Sequence, residues 1–195
     1  MRVLVVDPDP ARRERVVTVL SEAPDVHLRL VENTLGVVEH VSSFAPDMVI
    51  VACDAPARDA IDDLRRVTET NPRPIVMFVD RSEPEQAEAA LRAGVAAYVV
   101  DGLEPSRIRS ILDIASAQFR VNEELRRDLA DAKASLAARK IIEKAKGALM
   151  KRRKLDEQAA YALLRKAAMD QGKTIAEIAQ QLVAAEALLG GDNGA

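Results

Sequence analysis

The sequence predicts an α/β domain built on a doubly wound parallel sheet, followed by an all-α C-terminal segment. Three observations carry this. Through the first half of the chain, short apolar β-branched runs alternate with stretches of helical spacing, five times over. From Ser106 to Lys140 neither Gly nor Pro interrupts a charged helical pattern. A compact basic stretch, Arg139 to Lys154 (RKIIEKAKGALMKRRK), then holds eight Lys or Arg and one Glu inside a chain whose formal net charge is −3.

In order, Arg2 to Val6 (RVLVV) reads as a strand, and Ala11 to Ser21 as a helix with Val16, Val17 and Leu20 at helical spacing. His27 to Val31 is strand-like and Gly36 to Phe44 helical. Asp47 to Cys53 is a near-continuous apolar run followed by a helix over Ala60 to Thr68. Pro74 to Val79 with helix Glu83 to Ala93, and Ala96 to Val100 with a helix from Pro105 onward, complete the alternation. Continuous apolar strands belong in the centre of a sheet covered on both faces, which gives a flavodoxin-like (βα)5 domain over about residues 1–118. Ligands of such sheets sit at the carboxyl ends of the strands, so Asp7, Asp9, Ala52, Cys53, Asp54, Val79, Asp80 and Asp101 are the positions of interest.

Composition bounds the chemistry. The single cysteine, Cys53, cannot form an intramolecular disulfide, and two His with one Cys cannot build a zinc-type cluster. Aromatic residues are 3% with no Trp, which argues against base stacking as a main nucleic-acid contact. No apolar run approaches the roughly 18 residues that span a bilayer, and the N-terminus turns basic only after its apolar strand, the reverse of a signal peptide. A cytoplasmic protein with no membrane partner is expected. Residues 1–138 carry 17 basic and 24 acidic side chains and residues 139–195 carry 11 and 7, so the two halves are expected to meet different partners. No constellation of an enzyme is apparent.

The segments VLVVDPDP, PDMVIV with a proline at Pro56, and AGVAAYVVDGL resemble the receiver domains of bacterial response regulators. On that resemblance the family's phosphoacceptor position falls on Ala52, the second residue of its metal-binding acid pair on Pro8, its hydroxyl residue on Val79 and its lysine on Asp101. Only Asp7 matches. The reading is a degenerate pocket (Asp7, Asp9, Ala52, Asp54, Val79, Asp101) with no cofactor. Asp54 is the alternative acceptor, and Asp7, Asp9 and Asp54 are weak candidates for incidental Mg2+. The leading reading of these acids is as solvated carboxylates that cap loops and helix starts.

Over residues 106–140, Ile108, Ala115, Asn122, Leu129 and Leu136 fall on one heptad position and Ile111, Gln118, Leu125 and Ala132 on the other. This predicts a helical linker that forms a coiled-coil homodimer, a buried Asn fixing its register. Phe119 lies beside the seam. The competing reading is a single helix folding back on its own domains.

Beyond Lys154, Asp156 is placed to cap a helix to about Met169, Gln171-Gly172 to end it, and Thr174 with Glu177 to cap a last helix bearing Ile178, Ala179, Leu182 and Val183. With the basic stretch this makes three short helices and a disordered tail over 187–195. Ile142, Ala145, Lys146, Gly147, Leu149 and Met150, then Ala160, Tyr161, Leu164, Arg165 and Ala168, then Ile178 and Ala179, resemble the ANTAR domain over residues 136–186. That family is an RNA-binding module of transcription antiterminators. The pairing with a receiver-like domain is most similar to the NasT group of nitrate-assimilation regulators. The resemblance implies stem-loops of leader transcripts as the partner and a nitrate-sensing, NasS-type inhibitory protein, rather than phosphorylation, as the control.

Lys140, Lys144, Lys146, Lys151 and Arg152 are the expected phosphate contacts, and Arg165 and Lys173 the expected contacts to loop bases. Gly147 in mid-helix costs about 1 kcal/mol relative to Ala, so it is read as serving the close approach of another helix or of a nucleic-acid backbone. Tyr161 is expected in the core with its hydroxyl at the surface. Two other functions stay open on the sequence: a DNA-binding helix-turn-helix, and a protein-interaction adaptor using the receiver-like surface.

Overall fold

A computed structural model describes residues 1–21, 25–101 and 104–189 of the chain. The elements run β1 (Arg2–Val6), α1 (Pro10–Ser21), β2 (His27–Val31), α2 (Val37–Phe44), β3 (Met48–Cys53), α3 (Arg58–Thr70), β4 (Ile75–Val79), α4 (Pro84–Arg92), β5 (Ala97–Val100), α5 (Pro105–Arg153), α6 (Glu157–Gln171) and α7 (Ile175–Leu189). They divide into two compact units, Met1–Glu124 and Leu125–Ala195.

In the first unit the five strands form one parallel sheet in the order β2-β1-β3-β4-β5. The apolar runs of β1, β3 and β4 sit in its centre, where both faces are covered. One face packs Val3, Val5, Ile50, Ala52 and Phe78 against Val16 and Leu20 of α1 and Ile108, Leu112 and Ala115 of α5. The other packs Leu4, Val6, Val49, Met77 and Val79 against Val41, Leu64, Val67 and Ala90. Backbone hydrogen bonds carry the ladder past the strand ends: Asp7 N–H donates to Val31, Asp80 N–H to Cys53, and Asp101 N–H to Val79. Four acids, Asp7, Asp54, Asp80 and Asp101, are thereby strung along the carboxyl edge of the sheet.

The expected helical seam is corrected at its start. Ile108 and Ala115 are fully buried on the sheet and Ile111 packs partly against the same core. Apolar area already removed from water here is not offered to a second copy. Over this stretch of α5 the exposed large apolar residues are instead Ile114, Val121, Leu125, Leu129 and Leu136.

The second unit is built on the small residues Ala145, Ala160, Ala168 and Ala179, which let the backbones of α5, α6 and α7 approach closely, with Leu149, Leu164 and Ile178 filling the space between. The first of its expected three short helices is not a separate element, because α5 runs unbroken for 49 residues to Arg153. The only interruption in its sequence, Gly147, costs about 1 kcal/mol, too little to end a helix held on both sides by packed residues. Asp156 caps α6 by accepting from Ala159 N–H at 2.7 Å, and Gly172 ends it with a left-handed φ of 62°. Residues 187–189, expected in the tail, continue α7; residues 190–195 of that tail lie outside the described residues.

Ile108 ties the start of α5 to the sheet. Ile108→Ala is expected to cost about 2–5 kcal/mol of stability in the first unit, read as a lowered urea midpoint.

Candidate nucleic-acid interface and the sheet-edge pocket

The pocket at the carboxyl edge is organised by a residue absent from the sequence-derived set. Arg12, in the first turn of α1, lies 4% exposed beside the fully buried Asp7. Its guanidinium meets the Asp7 carboxylate as a fork, Nε donating to Oδ2 at 2.9 Å and Nη2 to Oδ1 at 3.0 Å. Nη1 donates to Asp54 Oδ1 at 3.0 Å and to Asp80 Oδ2 at 2.9 Å. Four charge-assisted bonds from one planar group hold three carboxylates, an arrangement suited to Arg and not to Lys. The Asp7 hydrogen bond is the largest of the influences that hold the Arg12 pKa above its ordinary value, against the opposing effect of burial. Removing one partner of such a buried pair typically costs about 3–5 kcal/mol, because the other charge is left without compensation.

The remaining predicted pocket residues do not form one cluster, although Val79 and Asp101 line the same cleft. Asp9 faces its own helix, accepting from Ala11 N–H at 2.9 Å as the cap of α1. Ala52 and Val79 are buried, packed into opposite faces of the sheet. Asp101, with a left-handed φ of 49°, lines a polar cleft of about 300 Å3 together with Arg12, Arg15, Asp80 and Glu104. Burial pushes the half-buried Cys53 thiol up to about 11, so it stays protonated at neutral pH.

In the second unit the basic residues fall into two groups. Lys140, Lys144 and Lys151 are exposed and stand seven and three residues before and four after Gly147, on one face of α5 with it. A Cβ built on Gly147 meets nothing within 4 Å, so among the described residues no neighbouring helix packs against it. Lys140 and Lys144, with Arg139, Leu136 and Ile141, line a shallow groove on the same helix.

Lys146, expected among the phosphate contacts, is turned inward. Its ammonium donates to Glu143 Oε1 at 2.7 Å and to Glu157 Oε1 at 2.6 Å, and these two hydrogen bonds, Glu143 first, raise its pKa. The pair joins α5 to the first turn of α6. Arg152 lies 3.5 Å from Glu186 of α7. Arg165 is exposed on α6 and Lys173 in the α6–α7 turn, each on an element other than the α5 face. Tyr161 is 43% exposed rather than in the core. It shares the outward face of α6 with Arg165 and the exposed Met169, at i, i+4 and i+8.

Residues 3–113 match the family model of the response regulator receiver domain, and residues 130–183 that of the ANTAR domain. The chain is an ANTAR response regulator. A relative is the transcriptional regulatory protein PdtaR of Mycobacterium tuberculosis, 29% identical over 143 residues, which are 73% of this chain and 70% of PdtaR. A protein-glutamate methylesterase/protein-glutamine glutaminase of Methanococcoides burtonii is 26% identical over 117 residues, covering 58% of this chain and 32% of that protein. Likeness to these methylesterases is confined to the receiver domain. Among solved structures, the receiver domain of the putative response regulator NarL of M. tuberculosis superposes with a TM-score of 0.52 at 24% identity, covering 58% of this chain and 94% of that one. The response regulator domain of Thermotoga maritima CheB gives 0.51 at 19% identity, covering 62% and 96%. These two share the fold.

For an ANTAR response regulator the sequence reading was incomplete at Arg12 and at Lys146, both cations whose helical phase points inward. Val16 and Leu20 stand four and eight residues after Arg12, and Ile142 and Leu149 four before and three after Lys146. That spacing was the available signal.

The capping box of α7 supplies a pH test. Thr174 donates to Glu177 Oε2 from its backbone N–H at 2.7 Å and from its hydroxyl at 2.8 Å, and these bonds, the backbone one first, hold the Glu177 carboxyl below its usual 4.5. A lowered folded-state pKa contributes stability that is complete above the unfolded value and lost as pH falls through the folded one. The Tm advantage of wild type over Glu177→Gln is therefore expected to be full at pH 6 and to shrink below about pH 4.5.

Proposed function

We propose that this ANTAR response regulator binds RNA stem-loops of leader transcripts and acts as a transcription antiterminator. The observation that carries the reading is the face of α5 around Gly147, where three exposed lysines surround a residue whose missing side chain no internal contact requires. A phosphate backbone can approach a glycine more closely than any other residue, and lysines at i−7, i−3 and i+4 provide sequence-independent attraction. Tyr161 and Arg165 on α6 offer a planar ring and a guanidinium to unstacked loop bases. Duplex DNA offers no such splayed bases.

A homodimer forms through α5, using the apolar stripe Ile114, Val121, Leu125, Leu129 and Leu136. Ile114, Leu125 and Leu136 are eleven residues apart, the repeat of straight to right-handed helical pairs. Resemblance to the NasT group supports nitrate or nitrite assimilation genes as the target and a NasS-type sensor as the inhibitory partner. Ala52, with no side-chain oxygen to accept a phosphoryl group, supports control by that partner rather than by phosphorylation, and a small-molecule phosphodonor is expected to leave the protein's mass unchanged.

Tandem RNA hairpins and duplex DNA, compared at matched salt, test the reading. Wild type is expected to prefer RNA. Lys144→Ala is expected to lower the slope of log K against log salt by roughly 0.7–0.9. Gly147→Ala is expected to stabilise the helix by about 1 kcal/mol while weakening RNA binding. Preference for duplex DNA would replace the reading with a helix-turn-helix one, and binding to neither would leave an adaptor.

A further inference from the structure

Receiver domains that accept a phosphoryl group imply a divalent cation among the acids at this sheet edge, and the residues of this chain do not fit one. Pro8 offers no carboxylate beside Asp7, Ala52 offers no side-chain oxygen, and Arg12 occupies the space among Asp7, Asp54 and Asp80. Among the described residues, no group of three acids, His or Cys is arranged to hold a metal.

We infer that Arg12 is the pocket's own cation, a covalently attached substitute for the divalent ion, which fixes the sheet edge in one arrangement that Mg2+ does not alter. The geometry argues for substitution rather than an incidental ion pair. Asp54 and Asp80 have side chains 73% and 56% exposed, so water could solvate both, yet each turns an oxygen onto the same buried Nη1 at 3.0 and 2.9 Å. Both oxygens of Asp7 are engaged: each takes one arm of the fork, and Oδ1 also accepts from Asp9 N–H at 2.9 Å. Mg2+ demands oxygens at about 2.0–2.1 Å in octahedral array, so to reach Asp7 it would have to expel a guanidinium that is always charged.

A bound ion also comes and goes with its concentration, whereas a side chain on the first turn of α1 is present in every molecule. The sheet edge of the N-terminal unit is then held without a bound ion. The RNA-binding reading of the second unit plays no part in this.

The test uses the full chain, with thermal melts in EDTA and in ~10 mM Mg2+, and Mn2+ broadening of the amide resonances of Asp7, Asp54 and Asp80. Wild type is expected to show no Tm shift and no broadening. Arg12→Ala is expected to melt roughly 10 °C lower in EDTA. It should regain a few degrees in Mg2+, with broadening at those amides that Asp54→Asn reduces. If Arg12→Ala does not fold, Arg12→Gln, of similar length and without charge, takes its place with the same expected gain of Mg2+ response. A Mg2+-dependent Tm shift or site-specific broadening in wild type would overturn the inference, as would a folded Arg12 variant indifferent to both ions.

Discussion

The fork between Arg12 and Asp7 meets the constraint that governs the first unit. A parallel sheet brings all its carboxyl ends to one edge, and this chain places Asp7, Asp54, Asp80 and Asp101 along it. Charges of one sign gathered in a partly buried place must be neutralised or protonated. The chain neutralises three of them with one guanidinium, whose planar geometry matches the carboxylate of Asp7 and leaves a third nitrogen for the other two. The sheet, its helices and the cleft beside Arg15 and Glu104 are all compatible with that choice, since α1 must begin where its first turn can reach back to the end of β1.

The second unit makes a comparable division among its cations, visible in two adjacent residues. Lys146 spends its charge internally, held by Glu143 and Glu157, and so sets α6 against α5. Gly147, one residue on and about 100° around the helix, faces open solvent between lysines that have no such bond. Packing and presentation are thus separated by a single step along the chain. The alanine-lined interior makes this workable, because closely approaching helices leave few places for a long side chain except at the rim.

Much of the fold was legible in the sequence because hydrophobic period reports it directly. β1 and β2 have the bounds their apolar runs indicated, and the other strands and helices of the receiver domain differ by two residues or fewer at either end. Caps at Asp156 and Thr174 followed from their side-chain chemistry. The seam of α5 was misplaced at Ile108 and Ala115 because a helical stripe shows which residues are apolar and not which neighbour covers them. Lys146 was assigned to solvent for a related reason, its charge, although it occupies an inward position where Glu143 and Glu157 meet it, and Arg12 drew no assignment at all because nothing local to it marks the distant acids it holds. Tyr161 erred the other way, its apolar ring being left outside.

The open space beyond Gly147 has a consequence for how this position drifts over generations. Nothing within the fold favours glycine there, since an added methyl would touch no atom and the backbone is ordinary helix. Selection for folding alone runs toward alanine, by about 1 kcal/mol. Under the proposed RNA-binding reading, the pressure that keeps glycine at position 147 comes from outside the polypeptide. On that reading, a gene copy released from RNA binding would be expected to lose this glycine before the buried alanines of the same helix change.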